Sequence, residues 1–162
     1  MIINKCNNND PYINITDKTP FYLTLSISTK TVKTKEEGKK ETEFFLKENI
    51  LVNKTELTPF LTKHLHSTNL WDKKSNDIYS YCSQANYTGL TGIIIDYDNT
   101  MTIQQFKSLY SDYHFVLYPS TNHKLTKDSD GLEIEKFHVI LPLDPNKYDI
   151  YKTPEMHARA YQ

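Results

Sequence analysis

Arginine, cysteine and long apolar runs are all scarce in this sequence. Only one arginine, Arg159, occurs among the 162 residues, and the formal net charge is −1, so the whole surface has no basic field that would attract nucleic acid. Contact with nucleic acid would therefore need a local patch. The two cysteines, Cys6 and Cys82, have neither metal-ligand nor disulfide spacing, which favours a reducing compartment.

No apolar run approaches the roughly 20 residues that a membrane-spanning helix needs. The first residues also lack the apolar stretch of a signal peptide. We therefore expect a cytoplasmic protein with no membrane partner. The length, with an ordinary balance of 38% hydrophobic and 24% charged residues, favours one globular domain over residues 1–162.

Apolar and polar residues alternate over residues 21–32, which predicts a half-buried strand. A second strand is expected over residues 41–52, where Phe44, Phe45, Ile50 and Val52 supply the apolar side. The charged segment between them predicts a turn. Thr58 followed by Pro59 predicts the N-terminus of a short helix that ends near residue 67.

Residues 69–91 are polar and aromatic, without a clear period. We interpret their tyrosines and Trp71 as aromatic packing in a loop-rich subdomain. The alternative is a platform on which nucleotide bases stack.

The chain becomes regular from Gly92 onward. Its pattern predicts in order a strand (92–98), a capped helix (102–110), a strand (114–118), a polar excursion (122–135), a strand (137–141) and a helix from Thr153. Strand, helix, strand, strand is the order of a split βαβ unit. We therefore expect an α+β fold on a mixed, largely antiparallel sheet.

Asp96 and Asp98 follow three isoleucines at the end of the first of these strands. Residues two apart on a strand point to the same side, so the two carboxylates share a face. Held that close, the two charges would repel each other unless a cation lies between them. Because Mg²⁺ and Mn²⁺ prefer oxygen ligands, we expect the pair to hold one of these metals at the edge of a buried strand. The alternatives are two solvated loop carboxylates, or Asp98 as a helix cap.

A second group of polar residues follows the strand that ends near Tyr118. Its side chains can touch a phosphate or another acidic ligand, although a plain polar turn uses the same residue types. The candidates are Ser120, Thr121, His123 and Lys124.

His138 lies in an apolar strand that begins after Lys136, where a lone histidine is usually a satisfied core residue. The antiparallel return of this strand would bring His138 to the end of the sheet where Asp96, Asp98 and Ser120 lie. An imidazole at that position would bind a triphosphate or position a nucleophile.

Together these motifs resemble the archaeo-eukaryotic primase superfamily, most of all the primase and primase-polymerase domains of phage and plasmid replication proteins. Members carry an Asp-x-Asp or Asp-x-Glu metal motif after an apolar strand. A Ser-x-His-type nucleotide-binding motif follows, and a further acidic residue comes later. The resemblance covers residues 92–144, about a third of the chain.

The resemblance implies nucleotidyl transfer in DNA replication. Asp96 and Asp98 would be catalytic metal ligands, and the Mg²⁺ or Mn²⁺ would bridge an incoming NTP or dNTP and the primer hydroxyl. His138 is the preferred catalytic histidine, with His123 as a second contact. The nucleotide-binding residues would be Ser120, Thr121, His123, Lys124 and Lys136. The implied partners are a single-stranded DNA template and a replicative helicase, in the cytoplasm of a host.

The resemblance also implies a division of a single primase-polymerase-like domain. Residues 1–91 would form an N-terminal α/β subdomain, residues 92–145 an RRM-like split βαβ catalytic core, and residues 146–162 the start of a C-terminal helical segment. The family's later acidic residue has no clear counterpart, since Asp144 and Asp149 are the only nearby carboxylates. A third ligand beyond Gln162 and the loss of that ligand both stay open.

The run from Ile93 to Thr100 also resembles the first motif of haloacid dehalogenase-like phosphatases, and the strand ending at Ser120 their second. On that hypothesis Asp96 is the nucleophile that forms an aspartyl-phosphate, and Asp98 is the acid/base. Such enzymes need a doubly wound parallel sheet and a later acidic pair, for which few residues remain.

Two further hypotheses involve no catalysis at the aspartate pair. The chain would be a DNA-binding replication accessory protein, or a small α+β interaction module. The pattern His64-Leu-His66 also matches rolling-circle initiators, which use a metal and a tyrosine nucleophile, but its flanks predict helix rather than strand.

Overall fold

The computed structural model describes residues 12–14, 21–73, 79–120, 123–143 and 155. Within these ranges the strands are β1 (Tyr12–Asn14), β2 (Tyr22–Thr31), β3 (Glu43–Leu51), β4 (His64–Ser67), β5 (Asn69–Trp71), β6 (Ser80–Tyr81), β7 (Tyr87–Leu90), β8 (Gly92–Asp98), β9 (Phe115–Pro119) and β10 (Lys136–Pro142). The helices are α1 (Lys35–Lys40), α2 (Lys54–Lys63) and α3 (Ile103–Leu109), with a 3₁₀ turn at Gln84–Asn86. In this part of the chain no helix is long and apolar enough to cross a membrane.

The strands form two four-stranded sheets and one small pair. The N-terminal sheet has the order β4-β2-β3-β6, the C-terminal sheet has the order β1-β9-β10-β8, and β5 pairs with β7. In the C-terminal sheet β10 is antiparallel to both β8 and β9, so these two strands run parallel on either side of it. The chain is therefore a mixed α+β protein with mostly antiparallel sheets, which confirms the expected fold class.

Both faces of the C-terminal sheet are covered, because alternate residues of its strands enter different apolar clusters. Val116 and Ile140 pack against residues of β2, β3 and α2 between the two sheets. Phe115, Phe137 and Val139 point the other way and pack around Phe106 of α3.

The helix α3 forms as its sequence predicts. The Thr102 side chain accepts a hydrogen bond from the Gln105 backbone N–H, and the Gln105 side chain accepts one from the Thr102 N–H. This reciprocal cap satisfies two backbone donors that a helix N-terminus otherwise leaves free. It also assigns the cap to Thr102 and not to Asp98.

The turn expected between the first two long strands is wrong, because the structure has the helix α1 there. Thr34 accepts a hydrogen bond from the Glu37 backbone, acidic residues occupy the first turn and basic residues the last. Those charges match the helix dipole. Together they outweigh the roughly 1 kcal/mol that Gly38 costs inside a helix.

The second helix begins earlier than predicted, and the strand β4 replaces its expected end. Its N-cap is Asn53, whose side chain accepts a hydrogen bond from the Glu56 N–H at 2.9 Å, so Pro59 lies inside the helix. The Thr-Pro pair was a weaker start signal than Asn53 with Glu56. Residues 64–67 pair with β2 instead of continuing the helix.

The described part of the aromatic segment, residues 69–73 and 79–91, contains three short strands, so it is more regular than expected. Its Trp71 packs on Phe44 of β3 with ring centroids 4.9 Å apart, in agreement with the packing interpretation. The helix predicted from Thr153 lies outside the described residues, apart from Glu155.

Phe106 holds α3 on the C-terminal sheet. Its side chain is 1% exposed and packs among the rings of Tyr97, Phe115 and Phe137. We expect Phe106→Ala to lower the free energy of unfolding by about 3–5 kcal/mol in urea denaturation, because it opens a cavity there. Leu109→Ala on the same helix is the control: that side chain is 66% exposed, and its loss should change stability by about 0.5 kcal/mol or less.

Candidate functional site

The two predicted metal ligands lie on one face of β8, as the spacing requires. Ile94, two residues before Asp96, packs into the cluster between the sheets, whereas Tyr97 packs on the α3 side. Asp96 and Asp98 therefore lie on the face that the C-terminal sheet turns toward the N-terminal sheet. Their side chains are 67% and 65% exposed.

The expectation that β8 is a buried strand is wrong. Among the described strands it lies at the edge of its sheet, and Ile93, Ile94 and Ile95 are only half-buried. An edge position leaves room for ligands beside the carboxylates, which a central strand would not.

The strand β10 brings two basic groups to the aspartates. Its register places His138 opposite Asp96 and Lys136 opposite Asp98. The His138 Nδ1 lies 3.4 Å from an Asp96 oxygen, and the Lys136 ammonium lies 2.5 Å from an Asp98 oxygen. Four of the predicted site residues are thus in pairwise contact across two strands.

The strand β9 adds one residue to each of these two cross-strand pairs. Tyr118 is opposite His138, and the two rings lie 5.2 Å apart between centroids. The Ser120 N–H donates to the Lys136 carbonyl at 2.9 Å, which continues the same ladder. We name these two rows the inner rung (Tyr118, His138, Asp96) and the outer rung (Ser120, Lys136, Asp98). Ser120 and Asp98 are two strand spacings apart, roughly 10 Å between Cα atoms.

The other predicted nucleotide contacts are engaged within the loop that joins β9 to β10. The His123 Nδ1 lies 3.1 Å from the Lys136 N–H nitrogen and 2.9 Å from the Lys136 carbonyl oxygen, so in either tautomer it anchors the start of β10. The Lys124 ammonium lies 3.8 Å from Glu135 and 4.0 Å from Glu133. Thr121 lies outside the described residues.

Burial sets the protonation of the inner rung. It lowers the pKa of the His138 ring, and the Asp96 carboxylate partly opposes that shift. It also raises the pKa of the Tyr118 phenol, with the Asp96 charge adding to the effect. Tyr118 therefore keeps its proton at neutral pH.

His66 and Tyr118 are site residues that sequence reasoning did not assign. The His66 Nε2 lies 2.6 Å from the Tyr118 hydroxyl, so a side chain of the N-terminal sheet reaches the inner rung. The His64-Leu-His66 pattern did draw attention to this histidine, but for a metal site and on an expected helix. The structure places the pattern on β4, where the His64 Nδ1 lies 3.0 Å from the Ser28 carbonyl oxygen.

The aspartate pair fits a metal ion that arrives with other ligands. No group of three or more His, Cys, Asp or Glu side chains in the described ranges is arranged to hold a metal alone. Mg²⁺ commonly takes one or two protein carboxylates and completes its six positions with water and substrate phosphate. Asp96 and Asp98, both about two-thirds exposed, match that donor set once Lys136 moves off Asp98.

Comparison with known proteins identified no relative of this chain. The chain matches no protein-family model, and neither curated proteins nor solved structures gave a match. The function of this chain must therefore be inferred from the geometry of the two rungs and from the motifs in the sequence.

His66 makes the stability of the fold depend on pH. Burial is the main cause that lowers its pKa from 6.5 to about 4. The unfolded chain binds this proton near pH 6.5 and the folded chain only near pH 4, so stability is lost as pH falls through that window. We expect this residue to account for about 3 kcal/mol of the loss.

The measurement is urea denaturation at a series of pH values across that window. The control is His66→Gln, whose amide stays neutral and can still pair with Tyr118. The loss of unfolding free energy should be smaller in the variant than in the wild type. Equal losses in both proteins would contradict the assignment to His66.

Proposed function

We propose that this chain is the nucleotide-binding core of a primase-polymerase-type nucleotidyltransferase that acts in DNA replication. The observation that carries the proposal is the alignment of Asp96 and Asp98 with His138 and Lys136 on one sheet face. Paired carboxylates beside the Lys136 ammonium suit a metal-bound triphosphate, because the metal neutralises one side of the phosphates and the lysine charge the other.

The strand order supports an RRM-like core. A helix joins β8 to β9, and β10 lies between these two parallel strands and antiparallel to both. That is the order of a split βαβ unit. The resemblance in the sequence predicts this arrangement for the segment that carries the motifs.

In this proposal Asp96 and Asp98 hold Mg²⁺ or Mn²⁺, which when bound stabilises the attacking and leaving oxygens of an in-line displacement. Lys136 exchanges its Asp98 partner for the charge of the triphosphate. His138 keeps its Nδ1 against Asp96, and Ser120 lies one strand farther along the outer rung. These are contacts by charge and hydrogen bonding, and they position the nucleotide.

The face of the site toward the N-terminal sheet is where a single-stranded template would approach. A replicative helicase belongs to the same proposal as a partner. Both are carried by the resemblance to phage and plasmid primases.

The phosphatase hypothesis loses support from the fold. Its motif needs a strand inside a doubly wound parallel sheet, whereas β8 is an edge strand paired antiparallel with β10. A DNA-binding accessory protein without catalysis is the hypothesis that the following experiment separates from ours.

The test is binding of a dNTP in the presence of Mn²⁺, measured by titration calorimetry with and without the metal. We expect metal-dependent binding by the wild type and a loss of at least about tenfold in affinity for Asp96→Asn, since the variant keeps the shape but loses a ligand charge. Asp112→Asn is the matched control: it removes the same charge from the exposed turn after α3 and should bind as the wild type does.

Extension of a labelled primer on a single-stranded template follows as the activity arm. Metal-dependent binding that Asp96→Asn abolishes, with extension by the wild type, supports the proposal. DNA binding that neither a nucleotide, nor a metal, nor Asp96→Asn affects would refute it in favour of the accessory hypothesis.

A further inference from the structure

The inner rung continues into the other sheet. From the surface inward, Asp96 contacts His138, His138 packs on Tyr118, and Tyr118 shares a hydrogen bond with His66. We propose that His66 and Tyr118 are positioning residues that hold the His138 ring against Asp96 from the N-terminal sheet. The effect of these two residues on turnover rests on the proposed function, whereas their effect on the position of the His138 ring does not.

The hydrogen bonds of His66 fix the direction of this contact. Its Nδ1 lies 3.3 Å from the His64 carbonyl oxygen, and a carbonyl can only accept, so Nδ1 carries the proton. The Nε2 of the neutral ring is then an acceptor, and the Tyr118 hydroxyl donates to it at 2.6 Å. His66 therefore holds Tyr118 at its hydroxyl end, and does so best when the histidine is uncharged.

Tyr118 in turn limits where the His138 ring can lie. Its side chain is buried at 7% exposure, and its ring is tilted by 30° to the His138 ring. The His66 ring meets the same tyrosine in an edge contact, with centroids 5.3 Å apart. Because Tyr118 contacts both rings and its hydroxyl is bonded, a change of its rotamer would break the hydrogen bond with His66 and disturb the contact with His138.

The direct cross-strand register carries this restraint to the aspartate. Tyr118, His138 and Asp96 occupy equivalent positions on β9, β10 and β8, so the His138 ring lies between Tyr118 and Asp96 in the ladder. Asp96 itself is 67% exposed and gains little restraint from packing. Its orientation thus depends on His138, and through it on a hydrogen bond between two residues that are 52 positions apart in the sequence.

The central variant is Tyr118→Phe, which keeps the ring but removes the hydroxyl. His66→Leu removes the acceptor, and His66→Gln restores one with its amide. Because the two partners act through a single hydrogen bond, the double variant Tyr118→Phe/His66→Leu should be no worse than either single one. The control is Tyr113→Phe, which removes a hydroxyl from a side chain that is 61% exposed.

The first measurement is the long-range ¹H–¹⁵N spectrum of the histidine rings, assigned with His→Gln variants and recorded on the folded protein. We expect the His138 ring signals to shift or broaden in Tyr118→Phe and His66→Leu, to recover in His66→Gln, and to stay unchanged in Tyr113→Phe. Unchanged His138 signals in Tyr118→Phe overturn the proposal.

The second measurement is primer extension under saturating nucleotide and Mn²⁺. We expect turnover to fall about tenfold in Tyr118→Phe and His66→Leu, about tenfold in the double variant, and nucleotide affinity to change far less, since an orienting partner acts on geometry. A hundredfold loss of turnover in the double variant is what two independent tenfold effects would give, and it would overturn the shared role. If the wild type neither binds nor incorporates nucleotide, the proposed function fails, and the ring signals alone then decide whether His66 and Tyr118 position His138.

Discussion

The register of β10 is the constraint on which the rest of this structure depends. Side chains alternate along a strand, so a slip by one residue would turn Lys136 and His138 toward α3 and send Phe137 into the cleft between the sheets. Fully buried Phe137 and Val139 resist that slip on one face, and Ile140 on the other. Gly92 adds a steric lock, because a Cβ there would lie 2.8 Å from the Leu141 carbonyl oxygen.

The same register reconciles two carboxylates on one strand with a stable fold. Asp96 and Asp98 repel each other, and each has a basic partner directly across the ladder. Packing alone therefore places Lys136 and His138 beside the aspartates, since the buried residues of β10 fix the register and the polar ones follow from it. The loop before β10 contributes at one point, where His123 bonds to the backbone of Lys136.

Local patterns in the sequence predicted the parts of the site that depend on period and sequential order. Alternation identified β2, and apolar residues identified β3 and β10. The Thr102 cap identified α3, and the return of the chain toward Asp96 identified His138. The contact between His66 and Tyr118 was missed because it joins two sheets, and no local period records which residue of one sheet faces which residue of another. The predicted start of helix α2 is too late in the sequence for a different reason. Asn53 and Glu56 form the N-terminal cap, whereas the more familiar Thr-Pro signal lies farther along the helix.

The two rungs differ in a way that suits a site which must exchange ligands without losing its shape. The outer rung ends in an ion pair whose carboxylate is 65% exposed, and a pair in water is worth about 1 kcal/mol or less, so a metal or a phosphate can replace either partner at small cost. The inner rung is anchored by the hydroxyl of buried Tyr118 bonded to the half-buried His66 ring, which costs more to break because it would leave the hydroxyl unpaired. A ligand that enters beside Asp98 would therefore rearrange Lys136 first, while His138 keeps its place.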